Sequence, residues 1–259
     1  MLVRQAANVV ELLEFFARRG EPATLAEIAD ALQWPRSSTF NIVGTLVDTG
    51  YFYEPVARGG YFPSPRWQNV VHRISEKDPL PDALVDLVDT IGETTGETTA
   101  VGTASGAFVI FLCVRESRQP LRYFAEVGTR VPIHASSAGR AILAQMTPDE
   151  RQRIYRKIMF EEYSGTTPMR VEQVEAALQA AVERGYHQSD SEYIADLAGV
   201  SFPIALGTRR LSIVVAGPTS RCLERRPETA RIMAAAIRQA GFSTPVRLAD
   251  PVSAQITGP

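Results

Sequence analysis

Seven residues in the first quarter of the chain have the types and spacing that grip a nucleic-acid duplex. Arg36, Ser37, Ser38 and Thr39 stand together at the expected start of a helix, where guanidinium, hydroxyls and free backbone amides can all hold phosphate oxygens. Asn41 and Thr45, one helical turn apart, can reach base edges, and asparagine suits bidentate contact with adenine. Arg58, at the tip of an aromatic hairpin, is placed to enter the neighbouring minor groove. Charge pulls the other way: residues 1–66 hold six Arg against seven Asp or Glu, a net of −1, where nucleic-acid binding usually shows a basic domain. Most of those acids lie on the first two helices, and Gln33–Val47 carries Arg36 and no acid. So few phosphate contacts predict a modest salt dependence and a need for dimeric or higher-order binding. The alternative is a sensor module that docks partner proteins without DNA.

A second group, His134 with Ser136 and Ser137, has the ingredients of a base and a nucleophile, which would make the chain a hydrolase. The pattern is wrong for it: there is no G-x-S-x-G elbow, and the residue three after Ser137 is Arg140, so no S-x-x-K pair exists. Neighbours on a turn also rarely align a base with a nucleophile, so His134 is expected to be a hydrogen-bonding residue that fixes the loop before a helix, and no catalytic residue is assigned. His72, His134 and His187 lack ligand spacing, and neither a metal nor another cofactor is expected. Cys113 and Cys222, far apart, read as reduced thiols.

The elements that must position these residues follow from periodicity. Val9, Leu12, Leu13 and Phe16 make the stripe of a first helix ended at Gly20. Thr24 and Glu27 form a T-x-x-E capping box for a second, with Leu25, Ile28, Ala29 and Leu32 inward. Pro35 opens a third, with Ile42, Val43, Leu46 and Val47 inward and Arg36, Ser37, Phe40, Asn41, Gly44 and Thr45 on the other side. Tyr51–Tyr53 and Gly60–Phe62 then read as a hairpin ended by Pro63 and Pro65. Together these give a winged helix-turn-helix over residues 1–64. Over 65–80, Trp67, Val70, Val71 and Ile74 stripe a linker helix that belongs to neither neighbour and is expected to pack on a second copy of the chain.

Beyond it, residues 81–246 read as an antiparallel sheet with helices, so the fold class is α+β. The expected strands are Thr98–Thr103, Phe108–Val114, Arg122–Val127, Val200–Ala205 and Leu211–Ala216. The expected helices span about Ser136–Gln145, Asp149–Met159, Val171–Arg184 and Pro227–Gln239, after one striped by Leu84, Leu87, Val88 and Ile91. Residues 247–259 are expected to be a flexible tail. Length 259, 45% hydrophobic and 22% charged residues exclude fibrous and mainly disordered classes, and a net charge of −2 names no partner. No apolar run approaches a membrane span and no signal-peptide block opens the chain, so a cytoplasmic protein without membrane association is expected.

Two stretches resemble a known family. Leu25-Ala26-Glu27-Ile28-Ala29, Pro35-Arg36-Ser37-Ser38 and Thr45–Tyr51 are similar to the recognition-helix signature of the IclR transcriptional regulators, and Gly128–Ala144 to their G-x-x-x-P-x-H-A-x-x-x-G-K-A-x-L-A segment. Gly185-Tyr186 through Asp190, Glu192, Pro203-Ile204 and Gly217-Pro218 follow further signatures. The resemblance implies a winged helix joined by a linker helix to a GAF-like effector domain. It also implies homodimers that often pair into tetramers, and operator DNA binding for repression or activation, repression more than activation, governed by a small organic molecule, read here as an organic acid. It places the effector among Tyr123, Val131, Ser136, Ser137 and Ala138 on one side and Ser189, Leu197, Gly199, Val214 and Ala216 on the other. Free amides at the helix start near Ser136 suit a carboxylate. Where relatives often carry Asp, Cys and two Ser, this chain has Ser189, Gly199, Val214 and Ala216, which implies a roomier, less polar pocket for a carboxylate with an apolar or aromatic body. Asn41 replaces an Arg common in relatives, so the operator sequence does not carry over.

Overall fold

A computed structural model describes residues 3–77 and 79–244. Local chemistry accounts for its first elements. Helix α1 (Arg4–Arg19) buries Leu12 and Phe16 and stops where Gly20 takes a left-handed φ of 73°. Helix α2 (Leu25–Leu32) starts with the reciprocal cap: Thr24 Oγ1 accepts from the Glu27 amide at 3.3 Å, and the Glu27 carboxylate accepts from the Thr24 amide at 2.8 Å. Helix α3 (Arg36–Asp48) follows Pro35 and turns Val43 and Leu46 inward. Strands β1 (Phe52–Tyr53) and β2 (Phe62–Pro63) pair antiparallel, and Ala23 bridges Tyr61 beside them. Gly60, with φ 94°, passes so close to Ala23 that a Cβ would lie 2.5 Å from its carbonyl carbon. The expected hairpin is present but shifted: Pro63 lies within β2 rather than ending it, which an edge strand tolerates because its missing N–H is not needed there.

Helix α4 (Arg66–Ser75) differs from expectation at its start. The Trp67 ring lies 4.5 Å from that of Tyr51, with the Arg66 guanidinium 4.9 Å from the same ring, so the first turn belongs to the winged unit's core rather than to neither neighbour. Its later turns stay bare, with Val71 60% and Ile74 67% exposed.

The chain divides after Pro79. Beyond it, α5 (Asp82–Thr95) precedes a six-stranded sheet of order β5-β4-β3-β8-β7-β6, antiparallel throughout. Its strands are β3 (Thr98–Ser105), β4 (Phe108–Arg115), β5 (Arg130–Pro132), β6 (His187–Asp190), β7 (Leu197–Leu206) and β8 (Arg209–Pro218). The helices among them are α6 (Ser137–Leu143), α7 (Pro148–Tyr155), α8 (Val171–Arg184), α9 (Thr219–Cys222) and α10 (Arg226–Gln239). Alternation along each strand builds two cores. Leu211, Ile213 and Val215 join Leu84, Ile91, Met233 and Ile237 of α5 and α10. Val214 and Ala216 join Ala138, Ile142 and Leu178 of α6 and α8 on the opposite face.

Two local expectations fail here. Arg122–Val127 is not a strand: β4's backbone is already occupied by β5 and by the Gly128–Thr129 turn, which bonds both the amide and the carbonyl of Phe111. The segment is held instead through Thr98 Oγ1, which donates to the Tyr123 carbonyl at 2.6 Å. Conversely, polar His187–Asp190, expected in no element, is drawn into the edge by pairing with β7. The expected tail, 247–259, lies outside the described residues.

Candidate effector cavity and nucleic-acid interface

On α3, Arg36, Ser37, Asn41 and Thr45 are exposed and Ser38 is half-buried. Thr45 Oγ1 donates to the Asn41 carbonyl at 2.7 Å, which leaves its methyl and lone pairs for a partner. Thr39 must be struck from the contact set. It is 0% exposed, with Oγ1 donating to the Pro35 carbonyl at 3.2 Å, so its hydroxyl stabilises the helix start from inside. Two further residues of the outward face, not assigned as contacts, stand beside them. Phe40 projects beside Asn41 as an exposed ring, and half-buried Gly44 has no atom within 4 Å of where a Cβ would stand. At the hairpin tip Arg58 is exposed, in a left-handed conformation (φ 61°), and its amide donates to Glu54 at 2.7 Å. A carboxylate therefore sits at the base of the tip, tempering its positive charge.

All ten residues assigned to the effector line one cavity of about 400 Å³, mouth included, in company with Phe111, Ala135, Glu192 and Tyr193. Val131 comes from β5, Ser189 from β6, Leu197 and Gly199 from β7, and Val214 and Ala216 from β8. Ser136, Ser137 and Ala138 open α6, and Tyr123 arrives on the segment before β5. Most of the wall is apolar, and hydroxyls gather where α6 meets β6 and β7. Ser201 Oγ donates to Ser137 Oγ at 2.9 Å. Ser136 is committed to the helix, accepting from the Gly139 amide at 3.1 Å and donating to the Pro132 carbonyl at 2.7 Å. Gly199 does not create empty space, contrary to the roomier pocket expected. A Cβ there would lie 2.7 Å from Ser137 Oγ and 2.8 Å from Ser189 Oγ, so its absence admits two hydroxyls. Burial, with Tyr193 nearby, pushes the Tyr123 phenol up to about 12, so it stays neutral.

Behind the cavity lies Arg140, 1% exposed, which the sequence offered as a failed lysine in a catalytic pattern and as part of the Gly128–Ala144 resemblance, without a role of its own. Its guanidinium donates to the His134 carbonyl at 3.2 Å, to the Gln188 carbonyl, and to both oxygens of Glu192 at 2.6 and 2.9 Å. A buried cation so saturated ties α6, β6 and the loop before β7 into one frame. The sequence signal was an arginine inside an otherwise small and apolar helix. His134 also departs from expectation. It hydrogen-bonds through its carbonyl, while both ring nitrogens are buried without partners among the described residues, and the ring stands edge-on to Phe160 at 5.1 Å. Burial first, and Arg140 second, push its pKa down to about 4. Since Ser136 and Ser137 both bond elsewhere, no base and nucleophile are paired here. Among the described residues no three His, Cys, Asp or Glu cluster as a metal site, and no helix is long and apolar enough to cross a membrane.

Known proteins share this fold. The IclR helix-turn-helix domain model matches residues 5–54, and the model for the C-terminal region of the bacterial transcriptional regulator IclR matches residues 77–242. The chain is 24% identical over 219 residues to the HTH-type transcriptional repressor AllR of Salmonella typhimurium, covering 84% of this chain and 80% of that protein. It is 26% identical over 211 residues to the probable transcriptional regulator SauR of Cupriavidus necator, covering 82% and 84%. The fold is that of Thermotoga maritima IclR, with a TM-score of 0.74 at 17% identity, covering 92% of this chain and 97% of that one. It is also that of an IclR homologue of Microbacterium hydrocarbonoxydans complexed with 4-hydroxybenzoate, with a TM-score of 0.68 at 23% identity, covering 91% and 98%. These relatives are regulators rather than enzymes. A helix-turn-helix match at one end and a regulatory-domain match over more than half the chain give one conclusion: this protein is a transcriptional regulator of the IclR family.

Proposed function

We propose that this regulator is a repressor whose hold on operator DNA is set by an organic acid with an apolar or aromatic body, bound in the cavity between α6 and the sheet. One observation carries the reading: a largely apolar chamber whose hydroxyls, Ser137 and Ser189, converge at the start of α6. The first amides of a helix have no intrahelical partner, and with the two hydroxyls they offer a carboxylate its hydrogen bonds, while Phe111, Val214 and Ala216 take the body. The 4-hydroxybenzoate complex of the Microbacterium homologue and the repressor name of the Salmonella relative support the ligand class and the sign of regulation.

In this reading α3 enters the major groove with Arg36, Ser37 and Ser38 on phosphates and Asn41 and Thr45 on bases, and Arg58 reaches the minor groove. The protein works in the cytoplasm as a homodimer, or a pair of them, on symmetric half-sites. Effector and DNA must bind with unequal affinity to two states for either to affect the other, and the coupling is reciprocal. The test is calorimetric titration with benzoate and 4-hydroxybenzoate, together with an electrophoretic shift on DNA upstream of the chain's own gene. Binding of an aromatic acid is expected to weaken the DNA complex, and DNA to weaken acid binding by the same factor. Absence of any shift would favour the protein-docking alternative, and preference for a two-carbon acid such as glyoxylate would overturn the ligand class.

A further inference from the structure

Two walls of the cavity serve a second concavity as well. Tyr123 and Leu197 line the inner chamber and also a wider groove of about 1070 Å³, open mouth included, walled further by Leu121, Phe124, Ile194 and Thr219. The groove leaves large apolar side chains in solvent: Leu121 is 66% exposed, Phe124 61% and Ile194 40%. Single exposed apolar residues need no explanation, but three lining one concavity that shares Tyr123 and Leu197 with the inner chamber mark a binding surface. Both banks are fixed. The Leu121 carbonyl accepts from Arg221 at 2.9 Å, and Arg221 is itself clamped on the buried carboxylate of Glu97. Across the groove the Thr219 amide donates to the Asp196 carbonyl at 2.7 Å. A surface held this way binds without first ordering its own loops, which favours affinity.

We propose that chamber and groove form one two-part site, and that the effector is an elongated amphipathic carboxylate. Its acid end meets the Ser137 and Ser189 hydroxyls, and its apolar body passes between Tyr123 and Leu197 onto Leu121, Phe124 and Ile194. This rests on the reading of the inner chamber as the effector site and names the shape of ligand it takes. A short acid would leave the outer wall bare, whereas a longer one covers it.

The test is a homologous series, benzoate, phenylacetate, 3-phenylpropanoate and 4-phenylbutanoate, titrated calorimetrically into the full chain. Affinity is expected to rise along the series by up to about fourfold per methylene, the gain that full burial of a CH₂ gives. The double variant Leu121→Ser/Phe124→Ser changes only exposed positions, so its melting temperature should hold while the gain with length flattens. Benzoate binding with a flat or falling series overturns the two-part site and leaves the chamber reading standing. Binding by none of the four overturns both. Loss of an oligomer in the double variant, by sedimentation, with the length dependence intact, would mean that a second copy of the chain covers the groove, and that too overturns the proposal.

Discussion

His134 and His187 are buried imidazoles whose ring nitrogens have no partner among the described residues, and both are held neutral, at about 4 and about 3, by burial first and then by Arg140. An unfolded chain protonates histidine near pH ~6.5, so from there down to about 4 the unfolded state binds more protons and stability falls with pH. Above that window neither state is charged and the contribution is flat. The urea midpoint should therefore be lower at about pH 5 than at about pH 7.5, and His134→Phe, which keeps a ring against Phe160, should lessen the fall. An unchanged pH dependence in the variant would contradict the assignment. On α3, Arg36→Ala should weaken all DNA sequences alike and lower the salt slope by about one, while Asn41→Ala should change which sequence is preferred. Competition binding at two salt concentrations separates the two effects. The sequence alone could place Arg36 and Asn41 but not exclude Thr39, because a threonine beside two serines reads as surface until the turn from Pro35 is seen to fold it inward.

At the scale of elements, α3 carries a glycine that its own packing does not require. Gly44 has nothing within 4 Å of a prospective Cβ, and glycine in a helix costs about 1 kcal/mol relative to alanine. Gly44→Ala should accordingly raise stability by up to about 1 kcal/mol in urea. The same methyl, on the face between Asn41 and Thr45, should weaken operator binding in a shift assay. A more stable variant with undiminished DNA affinity would show that the duplex does not approach α3 there. Elements set by short-range signals were legible: the Thr24–Glu27 capping box before α2, the glycine that ends α1, and the span of α8, Val171–Arg184. Arg122–Val127 was not, since its alternating pattern suits a strand and only competition for β4's edge denies it one.

Over the whole molecule, the bare turns of α4 carry the remaining prediction. Val71 and Ile74 protrude from a helix whose first turn is anchored by Trp67, and a second copy of the same face would cover them. Val71→Ser/Ile74→Ser should lower the sedimentation mass toward the monomer and weaken DNA binding by at least tenfold, since half-sites are then bound singly. Unchanged mass would place the dimer contact elsewhere.

Periodicity, caps and turn residues, all read within a few positions, determined the order of most helices and strands, and the family resemblance named ten residues, four of them within Gly128–Ala144, that line one cavity. What fills the space between those residues was decided in three dimensions. Arg140 meets Glu192 across 52 positions, Gly199 makes room for hydroxyls from α6 and β6, and Tyr123 lines both the chamber and the groove. Such contacts depend on the register and closure of the whole sheet, and a side chain's identity does not encode which distant group will share its burial.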